Sequence, residues 1–132
     1  MRFEGRRIRM ENEWKFIYYQ GSCIKEVDES RRRLLFQIPG RFPEARIWIN
    51  MKLSKIEPAM GNGYYRKLVF PHHFIFHGYE LIEGFKHPFS INAVALAAYC
   101  QPMHNHIKES MESHYEAERL REKRYNDQKG RY

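Results

Sequence analysis

The chain has 132 residues, of which 42% are hydrophobic and 15% aromatic, and it carries a formal net charge of +7. This length suits one domain whose core needs no disulfide or metal, and the composition excludes a chain that is disordered throughout. Two cysteines without a pairing motif, and an N-terminus without an apolar run, predict a reduced cytoplasmic protein with no signal peptide and no membrane-spanning segment.

Aromatic and β-branched residues, separated by turn signals, predict β-structure over the first two thirds of the chain. The predicted strands, in chain order, cover residues 14–19, 23–27, 31–38, 45–56 and 64–70, and residues 72–81 are either a further strand or an irregular extended piece. A Gly61-Asn62-Gly63 turn predicts that strand 64–70 pairs with the strand before it.

The last third of the chain has a helical pattern. Residues 91–99 are apolar on nearly every side, and Ser90 is a suitable N-cap after Pro88. Pro102 is expected to end this helix and to begin a second one over residues 103–125. The sequence therefore predicts an α+β domain over residues 1–125, with a curved antiparallel sheet or partial barrel of about five or six strands, two C-terminal helices and a frayed tail at 126–132.

The predicted strand 45–56 separates into two faces, because successive side chains of a strand point in opposite directions. The face expected in the core carries Ile47, Ile49, Met51 and Leu53. The opposite face carries Arg46, Trp48, Asn50 and Lys52. An aromatic ring between cations suits a nucleobase beside its phosphate.

Neighbouring strands repeat this combination of cations and rings. If they lie side by side, the seven residues form one positive aromatic surface: Arg31, Arg33, Arg46, Trp48, Lys52, Tyr65 and Lys67. The other interpretation is a solvated sheet face on which Trp48 packs under a loop or helix. Two arginine clusters, at residues 6–9 and 31–33, are further candidates for phosphate contacts, and nearby glutamates favour ion pairing within the protein for the first.

The histidines form two loose groups, His73 with His77, and Cys100 with His104 and His106. Neither group has the spacing of a known metal site, so structural or surface roles are expected, and no metal or cofactor is predicted. The glycine-rich phosphate loop and the nucleophile elbow are missing from the sequence, and only two aspartates are present.

Three functions fit these observations. The first is a small non-enzymatic protein that binds nucleic acid through the positive aromatic surface. The second is an inhibitor or adaptor, of the kind made by phages and mobile elements, that binds a nucleic-acid-processing enzyme or a nucleoprotein complex. The third is a metal-independent ribonuclease, in which His73 or His77 would act with Tyr65, Arg66 or Lys67.

Overall fold

A computed structural model describes residues 14–60 and 64–129, with side chains up to Asn126. The arginine cluster at 6–9, the turn at 61–63 and the end of the predicted tail lie outside the described residues.

Eight strands precede one long helix within the described part of the chain. The strands are β1 Trp14–Gln20, β2 Ile24–Asp28, β3 Arg33–Gln37, β4 Glu44–Asn50, β5 Lys55–Pro58, β6 Tyr65–Pro71, β7 Ile75–Ile82 and β8 Phe85–Asn92, and the helix, α1, is Ala93–Lys129. They form a three-stranded sheet in the order β1-β6-β5 and a five-stranded sheet in the order β2-β3-β4-β7-β8. All strand pairs are antiparallel. The α+β class is confirmed, but the prediction of one sheet or partial barrel was wrong.

The long strand predicted at 45–56 is two strands in different sheets. Asn50 ends β4: its side-chain Oδ1 accepts from the Lys52 N–H at 2.8 Å, and its carbonyl accepts from the Ser54 N–H at 2.8 Å. Asparagine favours such local turns. Ile47 and Ile49 are fully buried as predicted, whereas Leu53 is 50% exposed, so its expected place in the core was wrong.

The segment predicted to begin a helix at Ser90 is instead strand β8. Pro88 is tolerated because β8 is at the edge of the five-stranded sheet, where a missing N–H donor does not interrupt the ladder. Asn92, and not Ser90, caps the helix, since its side-chain Oδ1 accepts from the Ala95 N–H at 2.8 Å. The helix consequently begins at Ala93.

The expected break at Pro102 is also wrong, because α1 continues through this residue. A proline inside a helix costs about 3 kcal/mol. Leu96, Cys100 and Ile107 are fully buried and share one face at helical spacing, so packing on both sides of Pro102 outweighs the lost hydrogen bond. From Glu112 to Asn126 every side chain is exposed, so the second half of the helix leaves the body of the protein.

The core lies between the two sheets and the first half of α1. Most of its members come from β1, β3, β4, β6 and the helix, including Tyr19, Phe36, Ile47, Phe70 and Leu96, and β7 and β8 add Phe76 and Ile91. This packing turns one face of each sheet inward. The opposite face of the five-stranded sheet carries the candidate site.

Candidate nucleic-acid interface

A groove of about 560 Å³ opens on the outer face of the five-stranded sheet, where β4 and β7 separate. The ladder between these strands ends at the pair Trp48 and His77, although β4 continues to Asn50 and β7 begins at Ile75. The two walls beyond this pair are formed by Asn50, Leu53 and Ser54, and by Phe74, Ile75 and Phe76. We call this space the Arg33–Trp48 groove, after the two side chains that stack beside it.

Arg33 lies directly over Trp48. The Cζ atom of its guanidinium is 3.9 Å from the centroid of the Trp48 ring. The register explains the contact: Arg33 pairs with Asn50 and Leu35 pairs with Trp48, so Arg33 is the diagonal neighbour of the indole across β3 and β4. Leu35, opposite Trp48, is buried, and Trp48 itself is partly buried. The ring is therefore a support under a cation and not a freely exposed platform.

Asp28 holds both arginines at the entrance of the groove. Its Oδ2 is 3.5 Å from Arg33 Nε and 3.9 Å from Arg31 Nε, distances that describe ion pairs and not strong hydrogen bonds. Hydrogen bonds from the Ser30 hydroxyl and from the Arg31 N–H, followed by the Arg33 side chain, lower the pKa of Asp28. Since one carboxylate faces two guanidinium groups, the entrance retains a net positive charge.

Arg46 is on the same outer face, but its charge is compensated. Its Nε donates to Glu44 Oε1 at 2.7 Å, and its cross-strand partner is Tyr79, which lines the groove. Arg46 therefore contributes little free charge of its own.

The other three predicted residues do not line the groove. Lys52 is exposed in the turn after β4. Tyr65 and Lys67 belong to β6, which lies in the three-stranded sheet and does not pair with β4. Lys67 lies over the Phe16 ring there, with Nζ 4.5 Å from the ring centroid. Five of the seven predicted residues thus lie on two sheets, and Arg31 and Lys52 lie in turns. Arg31, Arg33 and Trp48 are the three that meet in the groove.

The histidines have separate roles. His77 Nδ1 is 2.9 Å from the Ser90 hydroxyl on the neighbouring strand, at the closed end of the groove. His104 Nδ1 accepts from the Tyr18 N–H at 3.0 Å, and its ring stacks on Tyr18 with centroids 5.0 Å apart. Burial, and next the charge of Lys108, lower the pKa of His104, consistent with a neutral acceptor.

The predicted group of Cys100, His104 and His106 does not assemble into one site. Cys100 is fully buried in the core, and burial raises the pKa of its thiol to about 12. His106 is exposed. Among the described residues, no group of three or more His, Cys, Asp or Glu side chains is placed to hold a metal ion.

Sequence reasoning missed several groove residues, namely Leu53, Ser54, Phe74, Ile75 and Tyr79. The signal for Leu53 and Ser54 was present in Asn50, a residue that favours turns and so marks the end of β4. Nothing comparable marks Phe74 and Ile75. They belong to the groove only because β7 separates from β4 at His77, which depends on strand register.

Comparisons with protein-family models, with curated proteins and with solved structures found no match to this chain. None of the described helices is both long and apolar enough to cross a lipid bilayer. The function is therefore inferred from the geometry of the groove.

Proposed function

We propose that the protein binds nucleic acid through the Arg33–Trp48 groove. The observation that carries the proposal is the guanidinium of Arg33, which is held 3.9 Å above the Trp48 ring at the edge of a concave, aromatic-lined space. Proteins that bind nucleic acid without reading its sequence combine positive charge for the backbone with flat groups for the bases. Both are supplied here by adjacent side chains of two paired strands.

The arginines at the entrance of the groove determine the electrostatic contribution to the affinity for nucleic acid. Among the described residues, Arg31 and Arg33 are the arginines that line the groove, and Asp28 offsets part of their charge. Two phosphate contacts predict a slope of about −1.4 to −1.8 when the logarithm of the association constant is plotted against that of the salt concentration. This slope is far smaller than the one expected if all of the net charge of +7 contacted phosphates.

Fluorescence anisotropy with labelled oligonucleotides tests the proposal. Replacing Arg31 and Arg33 together by alanine is expected to weaken binding about tenfold or more, because the charged groups that face phosphate are lost. The matched control replaces Arg121 and Arg124, two exposed arginines on the projecting half of α1, so that the same charge is removed elsewhere. Equal losses in both double variants would show that binding follows total charge and not the groove.

A protein partner is the main competing explanation, since arginine and tryptophan also anchor protein interfaces. A pull-down from the native host, analysed for both protein and nucleic acid, separates the two. Tight capture of a protein that survives nuclease treatment, together with negligible oligonucleotide binding, would replace the present proposal with the inhibitor or adaptor. Cleavage of labelled RNA in the presence of EDTA would instead favour the ribonuclease.

A further inference from the structure

The guanidinium of Arg33 has two flat faces, and its Cζ lies 3.9 Å from the centroid of the Trp48 ring, a distance that suits one face resting on the indole. In the part of the chain that the structure describes, its Nε is buried without a hydrogen-bond partner and lies 3.5 Å from Asp28 Oδ2 in a charge contact. The side chain is nevertheless 30% exposed, and it lines the groove. The face that Arg33 presents to the groove is therefore the one opposite the indole. A guanidinium held in this way is a preorganised plane on which another flat group can stack.

The dimensions of the groove limit what that flat group can be. A volume of about 560 Å³ is in the range of small-molecule sites. It accommodates one or two nucleotides whose bases are unstacked. A double helix keeps its base faces inside the stack and offers only base edges in its grooves, so it cannot place a base face on Arg33.

A second, independent feature of the groove also suggests a polar ligand. Ser54 is only 1% exposed, and its hydroxyl has no hydrogen-bond partner among the described residues. Ser54 lies in the groove wall beside Leu53. A buried hydroxyl without a partner is unfavourable. Its oxygen has almost no accessible surface, so the polar edge of a base would pair with it only as the groove wall adjusts around the ligand.

We infer that the ligand of the groove is an unpaired nucleobase of a single strand, stacked on the Arg33 guanidinium in the order Trp48, Arg33, base. This inference rests on the proposed function and adds to it the strand type and the stacking residue. Arg33 then acts through its planar shape as well as its charge, and Arg31 through its charge. Trp48 is the support beneath the guanidinium, and its ring also lines the groove.

Three probes of equal length test the inference by anisotropy: a single strand made as DNA and as RNA, an abasic strand with the same phosphates, and the duplex. The single strands are expected to bind about tenfold or more tightly than the abasic strand, because stacking of the base is lost in the latter. The duplex is expected to bind no better than the abasic strand. A preference for one of the two single strands identifies the natural sugar, and either preference supports the inference.

Arg33→Lys is the decisive variant because it keeps the charge and removes the plane. It is expected to bind the single strand about tenfold more weakly and the abasic strand as the wild type does. Arg32→Lys is the control, since Arg32 is the exposed neighbour and does not line the groove. Circular dichroism verifies that both variants fold. If Arg33→Lys does not fold, the three probes still test the inference, because they are compared on the wild-type protein.

The outcomes separate this inference from the proposed function. Equal affinity for the single and abasic strands, or a preference for the duplex, would overturn the unpaired base while leaving a nucleic-acid-binding groove. Unchanged single-strand affinity in Arg33→Lys would overturn the stacking role of Arg33. If none of the probes binds, the proposed function fails and the inference fails with it.

Discussion

Both sheets place cations over aromatic rings, but those over Trp48 and Tyr79 in the five-stranded sheet border a groove, and the one over Phe16 in the three-stranded sheet does not line it. In the five-stranded sheet, Arg33 lies over Trp48 beside an open concave surface. In the three-stranded sheet, Lys67 of β6 lies over Phe16 of β1, and His104 of α1 contacts the same Phe16 ring. Similar cation–ring pairs therefore differ in whether a ligand can reach them.

The difference comes from what surrounds each pair. His104 of α1 contacts both Phe16 and Tyr18 and accepts the Tyr18 N–H, so the helix protects the free edge of β1. In the described part of the chain, α1 packs mainly on β1, with smaller contacts to β6 and β8, and the separation of β4 from β7 leaves space beside the Arg33–Trp48 pair. A positive aromatic pattern in a sequence thus predicts a binding surface only when the strand order leaves it uncovered.

The largest expected effect concerns the close approach of β4 and β7 beside the groove. A Cβ atom at Gly78 would lie 1.9 Å from the Arg46 carbonyl oxygen and 2.6 Å from the Ile47 Cα. Gly78→Ala must therefore push the strands apart, and we expect it to lower the free energy of unfolding by about 3 kcal/mol. Urea denaturation measures this change.

Gly84→Ala is the control in the same hairpin. Gly84 has a φ of +84° and no neighbour within 4 Å of the added Cβ, so the cost is backbone strain of about 1 kcal/mol. A loss for Gly78→Ala no greater than that for Gly84→Ala would contradict the close approach, and with it the geometry at the closed end of the groove.

The next effect compares the two cation–ring pairs directly. Arg33→Ala is expected to reduce affinity for a single strand about tenfold, because stacking and charge are lost together. Lys67→Ala removes the same charge from the three-stranded sheet and is expected to change affinity less than threefold, about the size of a screened charge at a distance. Anisotropy titrations at one salt concentration give both values. A larger loss for Lys67→Ala would mean that the originally predicted surface extends over both sheets.

The smallest effect concerns the helix contact that covers β1. His104→Ala removes the acceptor of the Tyr18 N–H and should lower the free energy of unfolding at pH 8 by about 1 kcal/mol. His106→Ala, at an exposed neighbouring position, is expected to have no measurable effect.

The same contact predicts a pH dependence with a definite sign. The pKa of His104 is lowered in the folded protein by burial and then by Lys108, so the unfolded chain binds the proton more readily. The contribution of His104 is therefore complete above its unfolded pKa of about 6.5 and is lost as the pH falls below it. Denaturation at pH 8 and pH 5.5 should show a smaller pH-dependent loss in His104→Ala than in the wild type. An equal loss would mean that His104 does not titrate differently in the two states.

Local patterns in the sequence were enough to predict the α+β class, the buried face of Ile47 and Ile49, and the opposite face with Arg46 and Trp48. Alternation along one strand determines these features. The stack of Arg33 on Trp48 depends on the register of β3 against β4, and the groove depends on where β7 leaves β4. The path of α1 through Pro102 depends on tertiary packing, which overrides helix propensity. These features are long-range, so the local pattern could not predict them.

The two tryptophans provide the most direct test of the central claim, because one lies in each sheet. Trp48 supports Arg33 at the groove, whereas Trp14 is half exposed on β1. In a ¹H–¹⁵N NMR spectrum the indole N–H of each gives one signal, and Trp14→Phe assigns them. Addition of a single-stranded oligonucleotide is predicted to shift the Trp48 signal and to leave that of Trp14 unchanged. A shift confined to Trp14, or no shift of Trp48 at saturating oligonucleotide, would contradict the assignment of binding to the Arg33–Trp48 groove.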